Sequence, residues 1–160
     1  MPEPRLPGLI ARLERGQRKT SETFRRLSPA QWVRTIYDDP APWTARSLVA
    51  HFLSSERELL RLCLDVASGG TGAPEGYDYN GFNAEQQTHY QYILPDQLLE
   101  QLEAARGRTL EWLQTISEET LDRVGRHPAL GEVSLETMVV AIYGHQLLHI
   151  RDLQSKLGPA

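Results

Sequence analysis

Apolar residues return along this chain with the period of an α-helix rather than that of a strand. Leu9, Leu13, Phe24 and Leu27 recur at helical spacing among charged positions and predict an amphipathic helix over residues 8–27. Ser28 followed by Pro29 predicts a short turn of helix, with the serine as cap and the proline in the first turn. Asp38, Asp39, Pro40, Ala41 and Pro42 predict a loop by composition. Thr44 then caps a second helix that runs to about residue 68 and is stopped by Gly69 and Gly70; its inward stripe is Leu48, Phe52, Ser55, Leu59, Leu62 and Val66. On a helical wheel His51 sits at the edge of that stripe, facing inward.

Residues 69–94 are rich in Gly, Asn and Tyr and hold at most a short helix near residues 81–92. A connector of that length inside a compact fold is either functional or required by topology. Pro95 and Asp96 open a third helix through Ile116, Ser117 starts one further turn, and residues 125–133 predict a loop. Ser134 caps a fourth helix that ends near Lys156, with an apolar stripe of Leu135, Met138, Val139, Ile142 and Leu153. His149 falls within this stripe and His145 at its edge. With no strand-like alternation and no internal repeat, the pattern predicts an all-α fold, a four-helix bundle in one domain over residues 1–160.

His145 and His149 are four residues apart, so on a helix both imidazoles share one face and can converge on one cation. Peptidase chemistry of the H-E-x-x-H type is excluded, because Gln146 stands where the general-base glutamate belongs. A third imidazole constrains topology. His51 lies seven residues after Thr44 and His149 seven before Lys156, so the two share a depth when the second and fourth helices are antiparallel. Parallel helices would offset them by about eight residues, or about 12 Å, too far for one metal. An antiparallel pair makes the second and third helices parallel, and residues 69–94 then form the long crossover that parallel neighbours need. The predicted arrangement is up-down-down-up. His89 and His127 are expected outside the site, as solvated or capping residues.

Charge changes the picture mainly by exclusion. A net charge of −4 and a pI near 5.7 predict no nucleic-acid partner, since phosphate contacts require clustered Lys and Arg. The densest basic run, Arg12, Arg15, Arg18 and Lys19, is expected to be a solvated helix face. No apolar run has the length of a signal-peptide core or a membrane span, which predicts a cytoplasmic protein without a membrane partner. Cys63 is the single cysteine and is set among leucines, so a buried structural thiol is expected rather than a nucleophile.

Several segments taken together resemble a known family. Pro42-Trp43-Thr44-Ala45-Arg46-Ser47-Leu48-Val49-Ala50-His51, then Asn83-Ala84-Glu85, then His127-Pro128-Ala129-Leu130-Gly131, then His145 and His149 are similar in order and spacing to the DinB-like (YfiT-like) superfamily. The resemblance covers nearly the whole chain. It implies a metal-binding four-helix bundle, often a homodimer, in which His51, His145 and His149 hold a divalent metal, zinc or nickel. Many members carry an acidic residue where this chain has Gln146. Three imidazoles leave one coordination position open, as catalytic sites do. The resemblance therefore implies a metal-dependent transferase that activates a low-molecular-weight thiol for attack on a small electrophile. The crossover residues Tyr77, Tyr79 and Asn83 would shape the electrophile pocket. Two alternatives stand beside it: a metal-dependent hydrolase of a small ester or amide, and a non-catalytic metal-binding stress-response protein.

Overall fold

The computed structural model describes residues 2–158. Four long helices form the frame: α1 (Arg5–Arg25), α3 (Ala45–Ala67), α5 (Pro95–Leu113) and α6 (Leu135–Leu157). Two short helices, α2 (Pro29–Trp32) and α4 (Tyr79–His89), and a 3₁₀ turn (Glu118–Asp122) lie in the connections.

The helix starts follow local chemistry. Thr44 Oγ1 accepts the Ser47 amide and Ser47 Oγ accepts the Thr44 amide, a reciprocal cap that opens α3. Ser134 Oγ accepts the Thr137 amide at 3.2 Å and opens α6. Ser28 caps α2 with Pro29 in the first turn, as the sequence predicts.

Contacts between helices give their directions. Arg46 Nε donates to the Ile93 carbonyl just before α5, and Glu56 further along α3 pairs with Arg106 further along α5, so α3 and α5 run parallel. His51 meets both His145 and His149, which makes α3 and α6 antiparallel given their depths. Arg5 pairs with Glu136 and Thr20 bonds Gln146, so α1 and α6 are parallel. The bundle is up-down-down-up, and residues 68–94, with α4 in their middle, make the crossover.

The interior is in two apolar clusters with a polar layer between them. One gathers Phe24, Leu48, Phe52, Leu98 and Ile150; the other gathers Leu13, Leu62, Leu113, Met138 and Ile142. Between them Arg106 donates from Nε and Nη2 to the two Glu56 oxygens at 2.7 and 2.8 Å, and from Nη1 to the Leu13 carbonyl. Thr109 and Gln146 also donate to Glu56, and Thr20 reaches Gln146. All five side chains are buried.

Two expectations need correction. The chain does contain strands: β1 (Thr35–Tyr37) pairs with β2 (Trp43–Thr44), and β3 (Val124–His127) pairs with β4 (Gly131–Ser134), both antiparallel. Segments of two to four residues are too short to show a period of two. The expected loop at 125–133 is therefore a hairpin, held close to the bundle: a Cβ on Gly125 would lie 2.2 Å from Val66 Cγ2. Cys63 is fully buried as expected, and burial first, then Glu56, pushes its thiol up to about 12. Arg12, Arg15, Arg18 and Lys19 are all exposed.

Candidate metal centre

α3 brings one imidazole and α6 brings two, one turn apart, to a single point. His145 Nε2 lies 2.8 Å from His51 Nε2 and 3.0 Å from His149 Nε2. The ligand atoms of the three all fall within 4.8 Å of one another. The three residues singled out in the sequence are thus brought together. Trp43, the first residue of β2, lies against His51 with ring centroids 4.9 Å apart.

The environment keeps these rings neutral. His51 is 5% exposed, and desolvation, followed by the adjacent His145 and His149, pushes its pKa down to about 2. Burial, with His149 and His127 nearby, lowers His145 to about 4. His149 is also lowered by burial, against an opposing pull from Asp152.

One tautomer follows from hydrogen-bond chemistry. Tyr37, on β1, has its hydroxyl within hydrogen-bond range of both Asp152 Oδ2 and, at 2.8 Å, His149 Nδ1. A carboxylate can only accept, so the tyrosine proton goes to Asp152 and the tyrosine oxygen accepts from His149 Nδ1–H. His149 Nε2 then carries a lone pair aimed at the cluster. A proton on His145 Nε2 could serve one of its two contacts, whereas a cation serves all three. The donor set therefore fits a divalent metal of the zinc type, which takes neutral imidazole nitrogens, and the hydroxyl behind His149 is the kind of outer contact that orients such a ligand. Among the described residues no fourth histidine, cysteine or carboxylate joins the group.

His51 and His145 also face a cavity of about 470 Å³, within the usual range for small-molecule pockets. Its walls come from α3, α6, the crossover and the β3–β4 turn, and they are mostly apolar: Leu59, Phe82, Pro128, Val140 and Leu148 among them. Tyr77, Tyr79 and Asn83 of the crossover line it. Tyr77 donates to Glu58 Oε1, which also pairs with Arg61.

Gln146 is only 2% exposed and donates to Glu56 inside the bundle, away from the cavity. One position along a helix turns a side chain by about 100°, so the residue after a ligand faces elsewhere. His89 is exposed, as expected. His127 does cap a turn, but it is buried and lines the cavity, which the sequence reading placed outside the site. Tyr37, Trp43 and Asp152 went unrecognised. Asp152, three residues after His149 on one helix, was the legible signal; Tyr37 was not, because a three-residue strand carries it.

A model of the DinB superfamily matches residues 12–153. No curated protein matches the chain. Among solved structures, YfiT from Bacillus subtilis, described as a probable metal-dependent hydrolase with an unusual four-helix bundle topology, is similar with a TM-score of 0.74 at 20% identity, covering 100% of this chain and 91% of that one. The mycothiol-dependent maleylpyruvate isomerase is similar with a TM-score of 0.73 at 18% identity, over 96% of this chain but only 61% of the isomerase. The colibactin self-resistance protein ClbS, solved in complex with a dsDNA, has a TM-score of 0.70 at 15% identity, covering 94% and 95%. At these identities the likeness is one of fold. The expectation of no nucleic-acid partner does not follow from charge alone: a net charge of −4 is a sum over the whole surface, and ClbS, of similar fold, was solved with duplex DNA. No described helix is long and apolar enough to cross a membrane.

Proposed function

This chain belongs to the DinB superfamily, and on that footing we propose that it is a metal-dependent transferase that couples a low-molecular-weight thiol to a small electrophile, with His51, His145 and His149 as ligands of zinc or nickel. The observation that carries the reading is that two of the three converging imidazoles open onto an apolar cavity. A purely structural metal would be closed off by a fourth protein ligand. When bound, such a cation lowers the pKa of a thiol or water that ligates it.

The chain's own residues divide the remaining work. The buried imidazoles stay neutral and so keep their lone pairs at neutral pH. Tyr37 and Asp152 hold His149 in the tautomer that presents Nε2. The mostly apolar cavity walls take the apolar body of the electrophile. The single thiol of the chain, Cys63, is buried away from the cavity and cannot attack there; in this reading the nucleophile arrives with the substrate. Its sulfur gives its proton to solvent and forms the bond to carbon, and the leaving group departs with the electron pair of the bond that breaks. A reducing cytoplasm would supply such thiols, and a homodimer belongs to the same reading.

Elemental analysis of protein purified without a metal-affinity tag, for the wild type and the three single His→Ala variants, tests the site. About one zinc or nickel per chain is expected, with His149→Ala losing it while helical circular dichroism persists. Stoichiometric metal retained in that variant would sink the assignment. Conjugation of 1-chloro-2,4-dinitrobenzene with a panel of small thiols tests the chemistry. The same cavity admits water, so phenyl-ester hydrolysis without any thiol would favour the hydrolase reading. Metal bound with neither activity would leave a metal-stabilised, non-catalytic protein.

A further inference from the structure

The β3–β4 turn, His127 to Leu130, forms one wall of the cavity, and His127 is only 9% exposed. Its Nδ1 is committed: it accepts the backbone amides of Ala129 and Leu130, both at 3.1 Å. A ring nitrogen that accepts two N–H groups carries no proton, so the proton of the neutral ring is on Nε2. Desolvation lowers the basicity of this ring, which keeps it neutral. Among the described residues Nε2 has no protein partner, yet no buried side-chain nitrogen or oxygen is left unsatisfied. Nε2–H is therefore not sealed in the core, and it belongs to a residue that lines the cavity.

The rest of the wall explains what such a donor would meet. Among the described residues no Lys or Arg lines the cavity, and the one carboxylate there, Glu58, is already engaged by Tyr77 and Arg61. With the open position of the proposed metal taken by the thiol, a charged group on the ligand would find no free side-chain partner among the described lining residues, and burying it unpaired is costly. An apolar body with one neutral acceptor oxygen matches both the walls and the donor.

We propose that His127 is a ligand-binding residue of this cavity, donating Nε2–H to the carbonyl-type oxygen of an uncharged, largely apolar compound. The turn fixes the tautomer, as a backbone anchor fixes the donor edge of an imidazole elsewhere. The inference deepens the proposed transferase reading by naming the class of its electrophile, and rests on that reading only for calling the ligand a substrate.

Binding of 4-phenylbutan-2-one and of butylbenzene, nearly the same shape with and without the oxygen, tests this by calorimetry on zinc-supplied protein with no thiol present. Turnover plays no part, so a failure here is distinct from a failure of the transferase reading. The ketone is expected to bind about threefold to tenfold more tightly than the hydrocarbon, the range of one neutral hydrogen bond. His127→Asn is the deciding variant. Its side-chain oxygen can take the place of Nδ1 and keep the turn, while nothing replaces the Nε2 donor. It should melt near the wild-type temperature, bind butylbenzene unchanged and lose the preference for the ketone. His127→Gln, whose amide nitrogen reaches toward the Nε2 position, should restore part of that preference. An unchanged ketone preference in His127→Asn, an equal affinity of the wild type for the two probes, or no binding of either, would each overturn the proposal.

Discussion

Tyr37 has one proton to give and two acceptors within reach, an imidazole nitrogen and a carboxylate. Its choice of Asp152 decides the tautomer of His149, and so decides which face of that ring carries a lone pair. Tyr37→Phe removes the oxygen that holds His149 Nδ1–H. We expect metal affinity to fall by about 10- to 100-fold, the usual cost of losing an outer contact to a ligating histidine. Competition against a chromophoric chelator measures it; an unchanged affinity would show that the ring is held by packing alone. Asp152→Asn should weaken metal binding as well, because an amide can donate to the tyrosine oxygen and free the tyrosine proton for His149 Nδ1.

At the scale of elements, α3, α5 and α6 meet through the Glu56–Arg106 pair and its partners Thr109 and Gln146. This layer lies midway along the bundle, where α3 and α6 also carry the candidate ligands. Every member has a partner, so removing one is costly while the rest remain. Arg106→Met leaves Glu56 buried without its cation, and a loss of about 3–5 kcal/mol is expected in urea unfolding. The double variant Glu56→Leu with Arg106→Met should lose less than the single one. If the single variant were as stable as the wild type, the layer would contribute nothing to stability. Gln146 belongs to this layer rather than to the metal chemistry, so Gln146→Ala should lower stability while leaving metal content intact.

For the whole molecule, the buried imidazoles link stability to pH. In the unfolded chain His51 titrates near 6.5, whereas in the folded apoprotein burial pushes it down to about 2. Between those values the unfolded state binds a proton that the folded state refuses, so stability falls as pH falls through that window. From pH 6.5 to pH 5 the loss from His51 is about 2 kcal/mol, at about 1.4 kcal/mol per pH unit. Carboxylates held below their usual range, such as Glu103, contribute only at lower pH, so this window isolates the histidines. Urea unfolding of chelator-treated protein at pH 7 and pH 5 checks the slope; no difference between them, or the same slope in His51→Asn, would refute the linkage.

Helical period, caps and breakers are local properties, and they were enough to determine the four long helices, their starts at Thr44, Pro95 and Ser134, and the shared face of His145 and His149. Helix direction was legible as well, because matching the depth of His51 to that of His149 leaves one geometry and demands a long crossover. Only the tertiary structure decided the rest. The pairing of Glu56 with Arg106, the placing of Tyr37 behind His149 and the turn that aims His127 at the cavity all join residues from different elements. Contacts of that kind depend on rotation about each helix axis and on strands of two to four residues, neither of which leaves a periodic trace in the chain. The cavity is the clearest case. It is the space left between α3, α6, the crossover and one hairpin, and a space has no residue of its own to announce it.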